Sequence, residues 1–270
     1  MQTLITALTG WNEGRLDQAA LEMASIEFPG LDTGPYLERL DHMGLELEEE
    51  AAGLNGPEFV ARLNTFLFQE IGLRGDEQNY YDPRNSCLNW VLDQRTGIPI
   101  TLSVVYIELA RRLGRRVAGI GLPGHFVVRY EDNKFSTFID PFNGGELLDE
   151  AGCRRLSKRV TGAEVNFDPR LLRPVTTRHI LIRMLNNLRA AYFQSEDFAK
   201  AATVLNLLIR SSPETADYYK GRGIANIHIR QFLAAKADFE QYLKLEPQAE
   251  DRDDVVKQMA EIHRWLGTLN

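Results

Sequence analysis

Two residues in the middle of the chain have the types and spacing for acid–base chemistry. His125 stands in "PGHFVVRY" and Asp140 in "FIDPFNGG", fifteen residues apart. That separation fits one strand, a turn and the neighbouring antiparallel strand, which can bring two side chains together. An imidazole oriented by a carboxylate is the base half of a nucleophilic triad. The missing third member would be a thiol at a helix N-terminus, where unpaired N–H groups and the helix dipole favour a thiolate. The helix expected ahead of His125, "PITLSVVYIELARRLG", opens with Pro99. Proline suits the first turn of a helix, because its absent N–H is not needed there, but it cannot attack a substrate.

Other nucleophiles have to be weighed. Cys87 lies twelve residues upstream of Pro99, near the start of the helix expected in "NSCLNWVLDQRTG". A helix start can depress a thiol pKa; a buried small cysteine is the plainer reading. Thr101 and Ser103 lie one turn into the Pro99 helix, where hydroxyls bond back to carbonyls. Cys153 falls in a polar stretch beyond the strands. Asn85, in the cap of the Cys87 helix, and Gly124, in the "PG" turn, join Pro99 and Thr101 as candidate binding residues. His42, His179, His228 and His263 read as ordinary helical residues. Without a nucleophile, His125 and Asp140 leave three readings open: a structural hydrogen bond, a binding site, or catalysis.

The elements that must position these residues fall into three regions. Residues 1–75 read as helical. "RLDQAALEMASIEFPG" puts Leu16, Ala19, Ala20, Met23 and Ala24 on one face, and Pro29 and Gly30 stop it. A second helix carries Tyr36, Leu37, Leu40 and Met43, and a third, "PEFVARLNTFLFQEIGL", begins with Pro57 in its first turn. Residues 76–174 change texture. The Cys87 helix is capped by Asn85 or Ser86 and closed by Gly97. The Pro99 helix is apolar almost all round, hence buried. Strand signals follow in "RVAGIGL", "HFVVRY" and "KFSTFIDP", with "EDN" as a hairpin turn. Helix followed by antiparallel sheet is an α+β order.

Residues 175–270 are helical again and repeat. Pro213 and Pro247, Phe198 and Phe232, and Ala201 and Ala235 are each 34 residues apart. A helix-turn-helix period of this length, with small residues and proline as punctuation, resembles the tetratricopeptide repeat. Leu185, Leu188, Tyr192, Leu205 and Leu208 fall on usual positions of the first copy, and Tyr219, Gly223, Phe239 and Tyr242 on those of the second. Arg189 replaces a small residue, and Asn226 an aromatic one. "DDVVKQMAEIHRWLGTL" reads as the closing helix. Two copies are few for a free-standing array, so the repeats are expected to rely on the preceding region. Such an array is a support or a peptide groove; Lys220 is the lone candidate for gripping a carboxylate.

The middle region also resembles a known core. Helix, then "GHF", then "IDPF" is similar to the transglutaminase-like (papain-like) fold, whose Cys, His and Asp come in that order. The whole chain resembles the SirB-type bacterial family: a helical N-terminal region, a transglutaminase-like core and C-terminal tetratricopeptide repeats. "NSCLNWVL", "RTGIPITLSVVYIELARRLG", "GIGLPGHFVVRY", "FIDPFNGGELL" and the repeats carry the match. In catalytic members a Gly-x-Cys motif opens the helix about 15 residues before the glycine of a Leu-Gly pair. Counting back from Gly114 places Gly97 at that glycine and Pro99 at the cysteine. The resemblance therefore implies a degenerate core that binds a protein or peptide partner. Its alternative is a cysteine-type hydrolase or acyl transferase with Cys87 as displaced nucleophile, His125 as base and Asp140 as orienter. A third possibility is a purely structural role.

Composition sets the bounds. The chain has 270 residues, 44% hydrophobic and 26% charged, ordinary for a globular protein. Its net charge of -7 argues against nucleic-acid backbone as a partner. The piece "RRLGRR", Arg111 to Arg116, reads as a solvated helix end. The first residues lack the basic stretch of a signal peptide, and no run is long enough to span a membrane. Two cysteines make no disulfide framework, and no metal-ligand spacing occurs. The expectation is a cytoplasmic protein without cofactor or metal.

Overall fold

The computed structural model describes residues 1–10, 15–162 and 167–268. The chain divides into two compact units, residues 1–184 and 185–270.

The first unit begins with helices. α1 (Gln2–Thr9) and α2 (Leu16–Ala24) pack together. In α2 the small face expected from the sequence is buried, and so is its other face. α3 (Gly34–Ala51) buries Leu40 and Met43, as expected. α4 (Gly56–Asn64) starts at a capping box in which Asn55 and Glu58 exchange side-chain-to-backbone hydrogen bonds, with Pro57 in the first turn. At Thr65 the third helix does not continue as expected: residues Thr65–Glu70 widen into a π-helical turn that buries Phe66 and Leu67. β1 (Arg74–Gly75) pairs in parallel with β2 (Thr96–Gly97).

α5 (Leu88–Gln94) is shorter than its sequence signals. A separate 3-10 turn, Pro83–Ser86, takes the expected cap residues, and its own cap is the Asp82 carboxylate, which accepts from Arg84 N. Cys87 is therefore the residue that caps α5, and Arg95, at φ 60°, closes it. α6 (Pro99–Arg112) is buried almost all round and packs against α2, α3, α5 and the sheet. The sheet is antiparallel, in the order β3 (Val117–Leu122), β4 (His125–Glu131), β5 (Ser136–Asp140) and β6 (Glu146–Leu148). Between β4 and β5 the Asp132 carboxylate accepts from the N–H groups of Lys134 and Phe135, which fixes the expected hairpin turn.

α7 (Glu150–Thr161) covers part of the sheet and corrects the reading of Cys153. That residue does not lie in an open polar stretch. It is fully buried, packed with Ile120, Leu122, Val127, Phe138 and Leu156. α7 hides a narrow stripe and leaves the rest polar, so its core contribution is easily overlooked in sequence.

The "RRLGRR" piece also departs from expectation. The Arg112 side chain is only 8% exposed, not solvated. Its guanidinium donates to Asp17 at 2.7 Å, Asp41 at 2.7 Å and Glu108 at 2.9 Å, tying α2 and α3 to the end of α6. Asp17 and Glu108 are both buried. Burial raises the Asp17 pKa, but bonds from Arg15 and Arg112 outweigh it and hold the carboxyl below its ordinary value. Burial, with Asp17 nearby, pushes Glu108 up.

The second unit is helical. The chain enters it part-way along α8 (Thr177–Gln194), whose first residues belong to the first unit, and continues through α9 (Phe198–Ser211), α10 (Ala216–His228), α11 (Phe232–Leu245) and α12 (Arg252–Thr268). α9 and α11 each open on the repeated phenylalanine, and Ala201 and Ala235 are fully buried. A side chain at Gly223 would meet the Phe239 ring at 2.7 Å, so that repeat position needs glycine. Both departures from the repeat have local partners. Arg189 pairs with Asp217 at 2.6 Å. Asn226 donates to Asp238, which Arg222 also grips. The last residue assigned to the closing helix, Leu269, lies outside the described residues.

Candidate functional site

β4 and β5 are neighbours, with Val128 opposite Ile139. The two-residue period of a strand puts His125 on the same face as Asp140, displaced diagonally along the ladder. The His125 Nε2 lies 3.0 Å from both carboxylate oxygens of Asp140. Asp140 is fully buried, and His125 is only 5% exposed. The Asp140 carboxylate also accepts from Phe142 N at 3.1 Å and Asn143 Nδ2 at 2.7 Å. Burial pushes its pKa up; the donors from His125, Asn143 and Phe142 overcome this and leave it below the ordinary carboxylate value. An ionised Asp140 fixes the proton of a neutral His125 on Nε2. Nδ1 is then the nitrogen that can accept a proton.

The turn after Asp140 is held from a distance. Gly145 N donates back to Asp140 O at 2.9 Å. Gly145 O accepts from Asn64 Nδ2 at 2.8 Å, and Asn64 Oδ1 accepts from the Tyr106 hydroxyl at 3.0 Å. Gly145 has φ +82°, and a side chain there would strike Asn64 and Phe68 at 2.7 Å. This relay joins α4, α6 and the Asp140 turn. Nothing in the local sequence pattern marks Asn64 or Tyr106, though the "GG" pair does mark an unusual backbone. Around His125, Phe142 meets the imidazole edge-on at 5.9 Å and Tyr80 meets Phe142 at 6.1 Å. Arg183 donates to the His125 and Leu122 carbonyls at 2.5 and 2.8 Å.

The other candidates have definite places. Pro99 is the first residue of α6, buried, behind Ile98. α6 packs along β4 and against the Pro141–Asn143 turn that follows Asp140. Thr101 donates to Asn85 O at 2.6 Å and lies 3.3 Å from Ile98 O, so its hydroxyl does bond to carbonyls. Ser103 departs from that expectation: its buried hydroxyl has no hydrogen-bond partner among the described residues. The Asn85 amide donates to Asp76 Oδ2 and Asn79 O, which ties it to its own loop. Gly124 forms the β3–β4 turn with φ +71°, and a side chain would meet Val160 at 2.9 Å. Cys87 is fully buried, with its thiol 3.6 Å from Pro83 O. Cys153 is a poor thiolate: burial, followed by Asp149, Asp140 and Glu150, pushes its pKa up to about 12. Lys220, in the second unit, is gripped by Asp251 at 2.5 Å and lies over the Tyr242 ring. Among the described residues no cluster of His, Cys, Asp and Glu fits a metal ion, and no helix is long and apolar enough to cross a membrane.

The order of helix, histidine strand and aspartate strand has counterparts in known proteins. Residues 35–186 match the transglutaminase-like superfamily. The chain belongs to that superfamily. The transglutaminase-like core is followed by a tetratricopeptide-repeat match over residues 188–260. A UPF0162 protein of Xylella fastidiosa (strain 9a5c) is 35% identical over 247 residues, 89% of this chain and 87% of the relative. A UPF0162 protein of Vibrio cholerae is 26% identical over 201 residues, covering 73% and 74% of the two chains. These bacterial relatives have the extent expected of the SirB-type family. The human F-box only protein 21 is 32% identical over 135 residues, 47% of this chain and 20% of that protein.

Proposed function

We propose that this transglutaminase-like protein is catalytically degenerate and acts by binding a polypeptide on the surface of Tyr80 and Phe142, with the 5%-exposed edge of His125 at its floor and the buried Asp140 orienting that ring. One observation carries the reading. The first residue of α6, where the superfamily's nucleophile stands by count, is the buried ring of Pro99. His125 and Asp140 stand as base and orienter would, with Nδ1 not engaged by Asp140, but the proline side chain has no atom that can form an acyl bond. Neighbouring Tyr80 and Phe142 supply flat apolar surface of the kind that polypeptide contacts favour. The tetratricopeptide repeats add a second surface of a type used for protein partners.

The enzyme alternative rests on Cys87. Its thiol is fully buried and lies 3.6 Å from the Pro83 carbonyl oxygen, away from solvent and from any incoming substrate. It also begins a helix of only seven residues, with little dipole to offer.

One pair of measurements separates the readings. Full-length protein is applied to an array of peptides of defined sequence, beside His125→Ala. Wild type is expected to select a subset, and the variant to lose about tenfold in affinity for it, the size of one hydrogen bond to a buried group. An array with no selected peptide, or binding indifferent to His125, sinks the recognition role. In parallel, both proteins and Cys87→Ala are incubated with a small activated ester. Turnover by wild type that vanishes in Cys87→Ala would establish the displaced-nucleophile enzyme instead.

A further inference from the structure

A cleft of about 740 Å³ opens in the first unit, and no residue of the His125 site lines it. Four arginines do: Arg15, Arg111, Arg115 and Arg116. This concentration of cations stands out in a chain whose net charge is -7.

The arginines are positioned from behind. Arg15 donates to Asp17 through Nε at 3.2 Å and Nη2 at 3.0 Å. Arg111 donates from Nε to Glu108 at 2.9 Å. Both carboxylates are buried, whereas the Arg15 and Arg111 side chains are 57% and 55% exposed. The acids orient the guanidinium groups and leave their outer edges to solvent. Arg115 is fixed by neutral acceptors, Leu54 O at 2.5 Å and the Tyr130 hydroxyl at 3.4 Å. Arg116 is exposed and has no ion pair or hydrogen bond among the described residues. With Arg112, its partner Asp41, and Asp132 near Arg115, five guanidinium groups face four carboxylates, an excess of one positive charge. Ile107 and Val175, both partly exposed, contribute apolar surface to the same cleft. On its other side Thr177 opens the eighteen-residue α8, which brings the positive end of a helix dipole to that wall.

We propose that this cleft binds a small organic oxyanion, with its apolar body on Ile107 and Val175 and its phosphate or carboxylate head on Arg116 and the open edges of Arg15 and Arg111. Guanidinium groups held in a fixed fork match the two oxygens of such a head group. A cleft with low-dielectric walls focuses the field of the excess charge. The volume is that of pockets that hold small ligands, roughly 300–1,000 Å³. A merely solvated arginine patch would not need its guanidinium groups oriented by buried acids.

The test uses full-length protein and two fluorescent probes. One is 8-anilinonaphthalene-1-sulfonate; the other is N-phenyl-1-naphthylamine, the same ring system without the sulfonate. The sulfonate is expected to bind at one saturable site and to weaken at high salt, with the neutral probe binding at least tenfold more weakly, about the effect of a charge-assisted contact. Arg116→Glu should lower sulfonate affinity by about tenfold or more, because like charges then meet. Arg116→Gln should lower it less, and His125→Ala should leave it unchanged. Arg116 is exposed and without partners, so neither substitution threatens the fold. Equal binding of the two probes, no sulfonate binding, or indifference to Arg116→Glu overturns the proposal. Displacement of the sulfonate by octyl phosphate or by octanoate then identifies the head group; displacement by neither also overturns it.

Discussion

The two ends of α6 use the same helix in opposite ways. At its start the dipole would stabilise an anion, yet the chain places there the neutral ring of Pro99. At its end the dipole favours cations, and Arg111 and Arg112 stand there, held by Asp17, Glu108 and Asp41. The first end borders the turn that carries Asp140 and bears no charged side chain in its first turn. The second is dense with charge, and each buried charge has a partner. A helix terminus can serve reactivity or cohesion, and this molecule uses the C-terminal end for cohesion.

Removing Arg112 strikes the charged end hardest. Arg112→Leu removes the least exposed of the cations on Asp17 and Glu108 and leaves them to Arg15 and Arg111, whose side chains are more than half exposed. Weakening a buried charge set in this way costs about 3 kcal/mol, the low end of the cost of leaving a buried charge unpaired. The sign of its pH dependence follows. Without the cation, the folded-state pKa of both carboxyls rises, and the penalty is greatest where they are ionised. The deficit against wild type, read by urea unfolding, should therefore be larger at pH 7.5 than at pH 5. A loss below about 1 kcal/mol, or a deficit that grows on acidification, would mean that the network is incidental.

Much of the reactive end was legible in sequence, and the reasons are local. Strand alternation and a turn of known length suffice to join His125 to Asp140. A proline at a helix start needs only its own residue type to be read. The 34-residue repeat shows itself by self-comparison. What escaped has one of two causes. Some features depend on residues far apart in the chain, such as Asn64 reaching Gly145, or Asp17 meeting Arg112. No short-range pattern encodes those contacts, so Arg112 looked like any cation at a helix end. Others were masked by polar surroundings: Cys153 and Leu156 form too narrow a stripe for the sequence of α7 to read as core. The cap of α5 failed for a third reason. The signals at Asn85 and Ser86 belong to a separate 3-10 turn one residue earlier.

The His125–Asp140 pair should give a middling effect. Asp140→Asn keeps the shape but loses charge-assisted bonds from His125, Asn143 and Phe142 N, a loss of about 2 kcal/mol at neutral pH. Asp140 has a lowered pKa in the folded protein. Below its unfolded value of about 3.9, the unfolded state takes up the proton first, so wild-type stability falls as pH falls through the lower folded value. The variant has no such proton and should lose less between pH 4 and pH 2. Its amide can instead donate to Nε2, which moves the neutral-ring proton to Nδ1; nitrogen NMR of His125 reads that tautomer directly. An unchanged tautomer with an unchanged acid limb would show that the pair is not coupled as its geometry implies.

The smallest expected change in stability belongs to the substitution that bears most on chemistry. Pro99→Cys sits at a first helical turn that tolerates most residues, and losing the proline constraint costs only about 0.4–1 kcal/mol. The new thiol would stand at the positive end of α6, whereas Cys87 and Cys153 are fully buried. Its pKa should lie below that of an ordinary cysteine, and the rate of alkylation by iodoacetamide against pH reads it. Adding His125→Ala should raise that pKa again if the imidazole stands within reach. Turnover of an activated ester should nevertheless stay low. The site is closed, with His125 scarcely exposed, and an acyl intermediate also needs donors for its oxyanion and room for the leaving group. A thiol of ordinary pKa, indifferent to His125, would break the comparison between the ends of α6, because the N-terminal end would then be unsuited to chemistry for reasons deeper than one proline. Fast turnover would break it the other way: the scaffold would be intact, and the single ring of Pro99 would be all that separates this chain from an enzyme.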